Sequence, residues 1–199
     1  DESLSRLTLV TIGDDHTIEQ ITKHLNRLIE DLRLLALAEA GALELELRES
    51  DVAQILSQSI DAILPRAHMR NIIVSSMQPI DLPSVSIDQT RMRQIVTNLL
   101  ENALTHTPDE GSITVTGSEI KNIARIVIAN TGAGIPAEDL TQIFDRFYRT
   151  DPSRSRTTGG TGLGLTIVKQ LVELHGGTII AESSLNNETR FIIELPISP

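Results

Sequence analysis

The sequence predicts an α/β domain that follows a helical segment. Apolar residues recur at helical spacing in several long stretches, and shorter stretches alternate apolar with polar residues as β-strands do. With 199 residues and 40% hydrophobic content, the chain is long enough to bury a core. It contains no internal repeat or low-complexity tract.

The composition excludes several classes of protein. A formal net charge of -10 argues against a nucleic-acid-binding or anionic-membrane surface, because such partners require clustered Lys and Arg. The absence of cysteine excludes a disulfide framework and cysteine-based metal or nucleophile chemistry. No apolar run approaches the roughly 20 residues of a membrane span. We therefore expect a cytoplasmic chain that contacts neither nucleic acid nor the membrane directly.

The first helix is predicted to begin after residue 15, because residues 1–15 are weakly patterned and Gly13 marks a turn. Its apolar residues follow a coiled-coil-like spacing of three and four, and they are Ile18, Ile21, Leu25, Leu28, Leu32 and Leu35. This Ile18–Leu35 seam is too narrow to form a core alone, so we predict a homodimer through it. The alternative is a helix that packs on its own domain. Gly41 is predicted to end the helix.

The predicted domain boundary divides residues 1–45, a helical dimerisation segment, from residues 46–199, the main domain. Alternating leucines predict a short strand over residues 43–47. Asp51 caps the next helix, which Pro65 is predicted to stop. The later predicted elements are strands over 72–74 and 85–87, a helix over 88–108, strands over 113–116 and 123–129, a helix after the glycines of 159–164, and strands over 178–182 and 190–195.

Two asparagines lie on the predicted helix over residues 88–108. Asn98 and Asn102 are four residues apart and therefore share one face, beside the apolar stripe. Asparagine is an indifferent helix former, so this pair favours a functional role. An amide oxygen can ligate Mg²⁺, which prefers oxygen ligands and often shares them with substrate phosphates.

Two glycine-rich turns flank a segment that contains most of the few aromatic residues of the chain. Residues 130–136 follow a predicted strand, and their glycines would let a flat ring approach the backbone. Residues 137–156 combine the aromatic residues with several arginines. Residues 159–164 then lead into a helix, and such a loop presents backbone N–H groups and a helix N-terminus to phosphate.

Two familiar phosphate motifs do not fit this last loop. A dinucleotide-binding fingerprint that opens at Gly160 or Gly162 has Leu165 or Ile167 in place of its third glycine. A P-loop that opens at Gly159 has Leu165 in place of the phosphate-binding lysine. The loop is therefore a candidate phosphate site of another kind.

Four motifs, in this order, resemble the ATP-binding catalytic domain of sensor histidine kinases, within the superfamily shared with gyrase-type and heat-shock-chaperone ATPases. They are the N box NLLENALTHTP at 98–108, the G1 box NTGAGIP at 130–136, the F box FDRFYR at 144–149 and the G2 box GGTGLGL at 159–165. The resemblance covers residues 51–199, and the seam with the residues up to Gly41 resembles, less specifically, the second helix of the dimerisation and histidine-phosphotransfer domain. It implies a two-layer α/β sandwich with a mixed sheet, the Bergerat-type ATP-binding fold.

The resemblance implies a site for ATP and Mg²⁺ between the N-box helix and a movable lid. Asn102 and Asn98 are the implied metal residues. The implied anchors of the lid are Phe144, Phe147 and Tyr148. The residues implied to bind ATP are Asn98, Asn102, Asn130, Gly132, Gly134, Ile135, Arg149, Arg154, Arg156, Gly160, Thr161, Gly162, Leu163 and Gly164. The sequence leaves open which of the three arginines contacts phosphate.

The sequence departs from the family's pattern at two positions. Asn130 stands where the family usually carries an aspartate that recognises the adenine amino group, so an acceptor oxygen remains but the charge is lost. We expect adenine selectivity to survive with weaker binding. Thr105 stands where the N box often carries lysine or arginine, which shifts phosphate binding toward the lid arginines or His106. His106 and His175 are otherwise expected at helix ends.

A further feature separates phosphoryl transfer from hydrolysis. Asn98 stands where ATPases of the superfamily carry a glutamate that activates water, and an amide cannot act as a general base. Glu101 is adjacent to Asn102 but points about 100° away around the helix. We therefore expect slow or absent hydrolysis, and transfer of the ATP γ-phosphoryl group to a protein histidine for relay to a response regulator.

No histidine of this chain has the context of a phosphoacceptor, for which the family pattern resembles HExxTP. We therefore expect a kinase fragment that starts after its acceptor helix, or one whose first helix has degenerated. The expected partners are an acceptor-histidine helix and a response-regulator receiver domain, and the expected parent kinase is membrane-anchored. The alternatives are a catalytically silent nucleotide-binding and dimerisation module, and an anti-sigma-factor-type serine kinase.

Overall fold

The structure is a computed structural model that describes residues 2–76, 82–149 and 161–197, without the side chains of residues 2–17, 20, 23 and 24. Its elements, in chain order, are α1 (Glu2–Glu39), β1 (Arg48–Ser50), α2 (Val52–Met69), β2 (Ile73–Ser76), β3 (Val85–Ile87), α3 (Gln89–His106), β4 (Ser112–Ile120), β5 (Ile123–Thr131), a 3₁₀ turn (Gln142–Phe144), α4 (Gly164–Leu174), β6 (Thr178–Ser183) and β7 (Glu188–Pro196).

Five strands form one mixed sheet in the order β2-β4-β5-β7-β6. β2 and β4 are parallel, and the other neighbouring strands are antiparallel. Alternation along β5 buries Ile126 and Ile128 in the core and leaves Arg125 on the opposite face, where its guanidinium pairs with Glu194 of β7. Helices α2, α3 and α4 pack together and contact the sheet. The predicted two-layer α/β sandwich with a mixed sheet is confirmed.

Two predicted helix boundaries are wrong. α1 begins well before residue 15 and continues through Gly13, because a single glycine inside a helix costs only about 1 kcal/mol. α2 continues past Pro65 for one further turn. Proline removes one N–H donor from the helical ladder, and the buried apolar side of α2 outweighs that loss.

The strand predicted over residues 43–47 lies further along the chain, at β1. β1 pairs antiparallel with β3 in a separate two-stranded sheet, and its register opposes Arg48 to Ile87 and Ser50 to Val85. A strand exists only where a partner strand supplies hydrogen bonds, and the short β3 lies opposite residues 48–50 alone. The strand predicted from the leucine alternation is therefore wrong over residues 43–47, and the pairing begins at Arg48.

The predicted seam on α1 is divided between two environments. Ile18, Ile21 and Leu25 are 59%, 55% and 52% exposed, whereas Leu35 is 1% exposed. Leu35 belongs to the core cluster of the main domain, together with its neighbour Leu34. The C-terminal end of the seam is thus unavailable to a second copy, because the chain's own domain covers it. The exposed part remains a candidate dimer surface.

Replacing Ile126 with alanine should destabilise the domain, because this side chain is fully buried on the helix-covered face of the sheet. We expect the free energy of unfolding to fall by roughly 2–5 kcal/mol. The matched control is Ile73→Ala on β2, whose side chain is 66% exposed, and it should cost less than about 1 kcal/mol. Urea denaturation followed by circular dichroism measures both changes, and equal losses would contradict the assignment of the core face.

Candidate nucleotide-binding site

The N-box helix α3 is fixed by its cap and its apolar face. The Asp88 carboxylate accepts hydrogen bonds from the backbone N–H groups of Thr90 and Arg91, at 2.9 and 3.0 Å. The residues on its core side are at most 1% exposed, and they are Met92, Ile95, Val96, Leu99, Leu100 and Ala103. Asn98 and Asn102 are half-buried at the border of this face, as their spacing predicts.

The two asparagines differ in their partners. Asn98 Nδ2 donates to the carbonyl oxygen of Gly164 at 3.4 Å, which joins α3 to the first residue of α4. Asn98 Oδ1 accepts from Arg27 Nη2 of α1 at 3.3 Å. Within the described parts of the chain, the Asn102 amide has no hydrogen-bond partner. A half-buried amide in this state is suited to a ligand.

Two arginines at the C-terminal end of α2 hold α3 in place. Arg66 forms a bidentate ion pair with Glu101, which raises the pKa of the Arg66 guanidinium. Arg70 reaches the end of α3 and donates to the carbonyl oxygens of Leu104 and Thr107 at 2.6 and 2.7 Å. No local pattern identifies these contacts, because each joins residues at least 34 positions apart. Glu101 thus faces α2.

His175 connects the end of α4 to the start of α3. Its Nδ1 lies 2.7 Å from the carbonyl oxygen of Leu171, which agrees with the predicted role at a helix end. Its Nε2 accepts a hydrogen bond from the backbone N–H of Asp88 at 3.1 Å. The neutral imidazole satisfies both contacts, as donor through Nδ1 and acceptor through Nε2. This buried side chain therefore links the C-terminal end of α4, the helix that follows the G2 box, to the N-terminal end of α3, the N-box helix.

The G1 turn lies at the end of β5, in contact with the N box and the β6–β7 turn. Asn130 is 5% exposed, and its Nδ2 donates to the carbonyl oxygen of Thr131, which leaves Oδ1 to accept from a ligand. A Cβ at Gly132 would lie 2.6 Å from the His106 carbonyl oxygen. Gly134 has φ +79°, and a Cβ there would lie 2.7 Å from the Ser184 carbonyl oxygen. The backbone N–H of Ile135 donates to Ser183 Oγ at 2.8 Å.

The F box packs directly beside the G2 box. Phe144 is buried, and its ring meets Phe191 edge-to-face with centroids 6.4 Å apart. The Tyr148 hydroxyl donates to Asp139 at 2.6 Å, and this bond raises the Tyr148 pKa. Phe147 instead contributes its backbone, because its ring is 59% exposed and its N–H donates to the Gly162 carbonyl oxygen at 3.0 Å. Gly162 has φ +71°, and a Cβ there would lie 2.9 Å from Phe147 Cα.

The N-terminus of α4 has no side-chain cap among the described residues. Leu163 is fully buried at the N-cap position, and its apolar side chain makes no capping hydrogen bond. The Leu163 N–H itself donates to Thr161 Oγ1 at 3.3 Å. The first backbone N–H groups of this 11-residue helix have no carbonyl of their own helix as a partner, and they attract negative charge. Of the predicted ATP-binding residues, Arg154, Arg156 and Gly160 lie outside the described residues.

Neither Thr105 nor His106 supplies the N box with a cation near neutral pH. Thr105 Oγ1 donates back to the Glu101 carbonyl oxygen at 2.7 Å, on its own helix. Desolvation by the surrounding protein, together with the nearby charge of Arg149, lowers the pKa of His106. Near neutral pH, His106 is therefore a neutral polar group rather than a cation that replaces the usual lysine or arginine of this box.

The donor set fits Mg²⁺ and ATP. Asn102 offers an amide oxygen, the α4 N-terminus offers backbone amides, and Asn130 Oδ1 offers an acceptor in a buried position. In the described ranges, no cluster of three or more His, Asp or Glu side chains could hold a metal. A magnesium ion here would take one or two protein oxygens and complete its shell with phosphate and water, which is its usual behaviour.

A family model described as histidine kinase-, DNA gyrase B- and HSP90-like ATPase matches residues 87–199, which include all four motifs. The chain belongs to this ATPase family. The signal transduction histidine-protein kinase BaeS of Escherichia coli (strain K12) is 34% identical to it over 173 residues, which are 87% of this chain and 37% of BaeS. The chain spans about a third of the length of the curated relatives it matches. It covers 37% of BaeS and 30% of the sensor protein SrrB of Staphylococcus aureus.

Solved structures agree with this assignment to the ATPase family. Full-length ShkA in complex with AMPPNP matches at TM-score 0.78 and 32% identity, over 88% of this chain and 36% of that chain. Histidine kinase ThkA in complex with the response regulator protein TrrA matches at TM-score 0.69 and 28% identity, over 90% of this chain and 50% of that chain. The predicted family is therefore confirmed. In the described parts of the chain, no helix has the length and apolarity needed to cross a bilayer.

The lowered pKa of His106 gives a testable pH dependence. Between its folded-state pKa and about 6.5, the unfolded chain binds more protons than the folded chain, so acidification destabilises the fold through this residue. We expect NMR titration to place the His106 midpoint below 6.5, and Arg149→Ala to raise it. The stability of the wild type relative to His106→Gln should also decline as the pH falls from about 7 to about 5. A midpoint at or above the unfolded value would contradict this environment.

Proposed function

We propose that this chain is the ATP-binding catalytic part of a two-component sensor histidine kinase, and that it transfers the γ-phosphoryl group of ATP to a histidine on an acceptor helix. The observation that carries the proposal is the meeting of the N, F and G2 boxes. The Asn98 side chain donates a hydrogen bond to the Gly164 carbonyl oxygen, and the Phe147 N–H donates to the Gly162 carbonyl oxygen. The proposed metal-binding face of α3 therefore adjoins the N-terminus of α4. Such a meeting of amide oxygens and free backbone amides suits a metal-bound triphosphate.

Each group of residues has a proposed task. Asn130 Oδ1 accepts from the adenine amino group, while the Gly132 and Gly134 turn admits the ring. Asn102 holds Mg²⁺, with Asn98 beside it, and the ion when bound neutralises phosphate charge. The amides of Thr161–Gly164 contact the phosphates, together with Arg149, Arg154, Arg156 and Gly160. The F-box residues Phe144, Phe147 and Tyr148 hold the base of the lid, and the backbone contact to Gly162 supports this task.

The arrangement of acidic groups favours transfer over hydrolysis. A general base must reach the attacking water, and the helical position suited to it carries Asn98, which cannot accept a proton near neutral pH. The nearest carboxylate in sequence, Glu101, is held by Arg66 of α2. Neither of these two residues would therefore serve as a base for water. An imidazole brought by an acceptor helix is itself a nucleophile and needs less activation.

The proposed partners follow from the exposed surface of α1 and from the relatives. We infer that a second copy of the chain covers Ile18, Ile21 and Leu25, because an exposed apolar stripe of helical spacing requires a partner helix. ThkA was solved with a response regulator, so a receiver domain is the proposed phosphoryl acceptor downstream of the histidine. A membrane-anchored parent protein, with this part in the cytoplasm, completes the proposal.

Asn102→Ala should nearly abolish Mg²⁺-dependent binding of ATP, because it removes the proposed metal oxygen without disturbing the buried face of α3. Isothermal titration calorimetry with Mg²⁺-ATP measures the affinity, and titration with EDTA present isolates the metal-dependent part. The control is Gln58→Ala, which removes an exposed amide from α2. Unchanged affinity in Asn102→Ala would refute the site assignment.

Phosphoryl transfer should require an added acceptor. We expect the chain with Mg²⁺-ATP and a separate acceptor-histidine domain to yield acid-labile phosphohistidine on that domain, with little release of free phosphate when the domain is omitted. Radiolabelled ATP followed by acid and alkali stability tests measures both. Nucleotide binding without any transfer would favour a catalytically silent module, acid-stable phosphoserine would favour a serine kinase, and labelling of the chain alone would show an acceptor within it.

A further inference from the structure

An arginine of α1 lies at the N box. Arg27 Nη2 donates to Asn98 Oδ1 at 3.3 Å, across 71 residues of sequence. The other end of the Asn98 amide is bonded to Gly164, so Arg27 contacts the side chain that joins α3 to the G2 helix. Among the described residues, this is the guanidinium that bonds a proposed metal residue.

The face of α1 that carries Arg27 is packed against the main domain. Asp31, one turn further along, is 8% exposed, and burial raises the pKa of its carboxyl while the charge of Arg27 opposes that rise. Leu34 and Leu35 continue the buried face into the core. At the end of α1, Glu39 pairs with Arg146 of the F box. Arg27 is therefore held beside the site by a helix that is fixed at several points.

Three other arginines near the site, among the described residues, are committed elsewhere. Arg66 is paired with Glu101, Arg70 binds the end of α3 and Asp109, and Arg146 is paired with Glu39. The N-box position that often carries a cation in this family is Thr105, whose hydroxyl turns back onto its own helix. A triphosphate in this acidic chain needs positive charge near its terminal group. Arg27 supplies that charge from outside the N box.

We propose that Arg27 binds the γ-phosphate of ATP, and that α1 thereby contributes a specificity residue to the nucleotide site. The inference rests on the proposed function. A guanidinium is always charged and offers five donors in a planar fork that matches phosphate oxygens. Its contact with Asn98 uses one of these donors, so the others are available to phosphate oxygens beside the proposed metal position. ATP and ADP differ at this terminal group, and Arg27 should therefore distinguish them.

The competing interpretation is that Arg27 blocks the site. In that case its bond to Asn98 Oδ1 would keep a metal-binding oxygen occupied, and loss of the guanidinium would strengthen nucleotide binding. The two interpretations give opposite signs for the same substitution. The positive charge of Arg27 favours the first, because the terminal phosphates are the anionic part of the ligand.

The test compares Mg²⁺-AMPPNP with Mg²⁺-ADP by calorimetry on the whole chain. We expect Arg27→Ala to weaken AMPPNP binding roughly tenfold to a hundredfold, the size of a lost charge-assisted hydrogen bond, and to leave ADP binding within about twofold. Arg27→Lys should restore part of the AMPPNP affinity, because it keeps the charge but not the fork. The matched control is Arg33→Ala, an exposed arginine of α1 whose ion pair is with Glu30, and it should change neither affinity.

The outcomes separate this inference from the proposed function. If the wild type binds both nucleotides and Arg27→Ala changes neither, weakens both equally or tightens AMPPNP binding, the γ-phosphate contact is refuted while nucleotide binding stands. If the wild type binds neither nucleotide, the proposed function itself fails and the inference fails with it. Unchanged thermal unfolding of Arg27→Ala would establish that the affinity change is local.

Discussion

The nucleotide site depends on the burial of one face of α3. Met92, Val96, Leu99 and Leu100 are fully buried, and each such side chain contributes roughly 1.5–3 kcal/mol relative to exposure. Rotation of α3 about its axis would expose several of them at once, so the helix has a single favourable orientation. The half-buried amides of the N box lie at the border of this face, so hydrophobic packing of the helix determines the side from which they project. The positions of Asn98 and Asn102 relative to the core are thus set before any ligand binds.

Contacts from three other parts of the chain then set the position of α3. Arg70 at the end of α2 binds its C-terminal carbonyls, His175 at the end of α4 accepts from the N–H of its N-cap residue Asp88, and the G1 turn approaches its last residue so closely that Gly132 has no room for a side chain. The contacts of Arg70 and His175 satisfy helix-terminal groups that would otherwise lack a partner. The N box, the G1 turn and the G2 helix therefore behave as one unit.

α1 adds a second level of organisation, because the same helix touches the N box and the F box. Arg27 lies at one contact and Glu39 at the other, about three turns apart on a rigid rod. The apolar seam on its exposed side provides a surface for another helix, whereas its buried side joins the core through Leu35. A displacement of α1 would thus change contacts at both edges of the nucleotide site together. This connection gives a physical route between the proposed dimer surface and the nucleotide site.

Local chemistry in the sequence determined the element types, the four motifs and the family. Helical periodicity marked Asn98 and Asn102 as neighbours on one face, and turn chemistry marked the G1 and G2 glycines, because these signals act over a few residues. The strand at β1 and the burial of Leu35 were decided by tertiary packing. The ion pair of Arg66 with Glu101 and the contact of Arg27 with Asn98 join distant parts of the chain. No local pattern encodes such pairs, since only the folded core determines which surfaces meet.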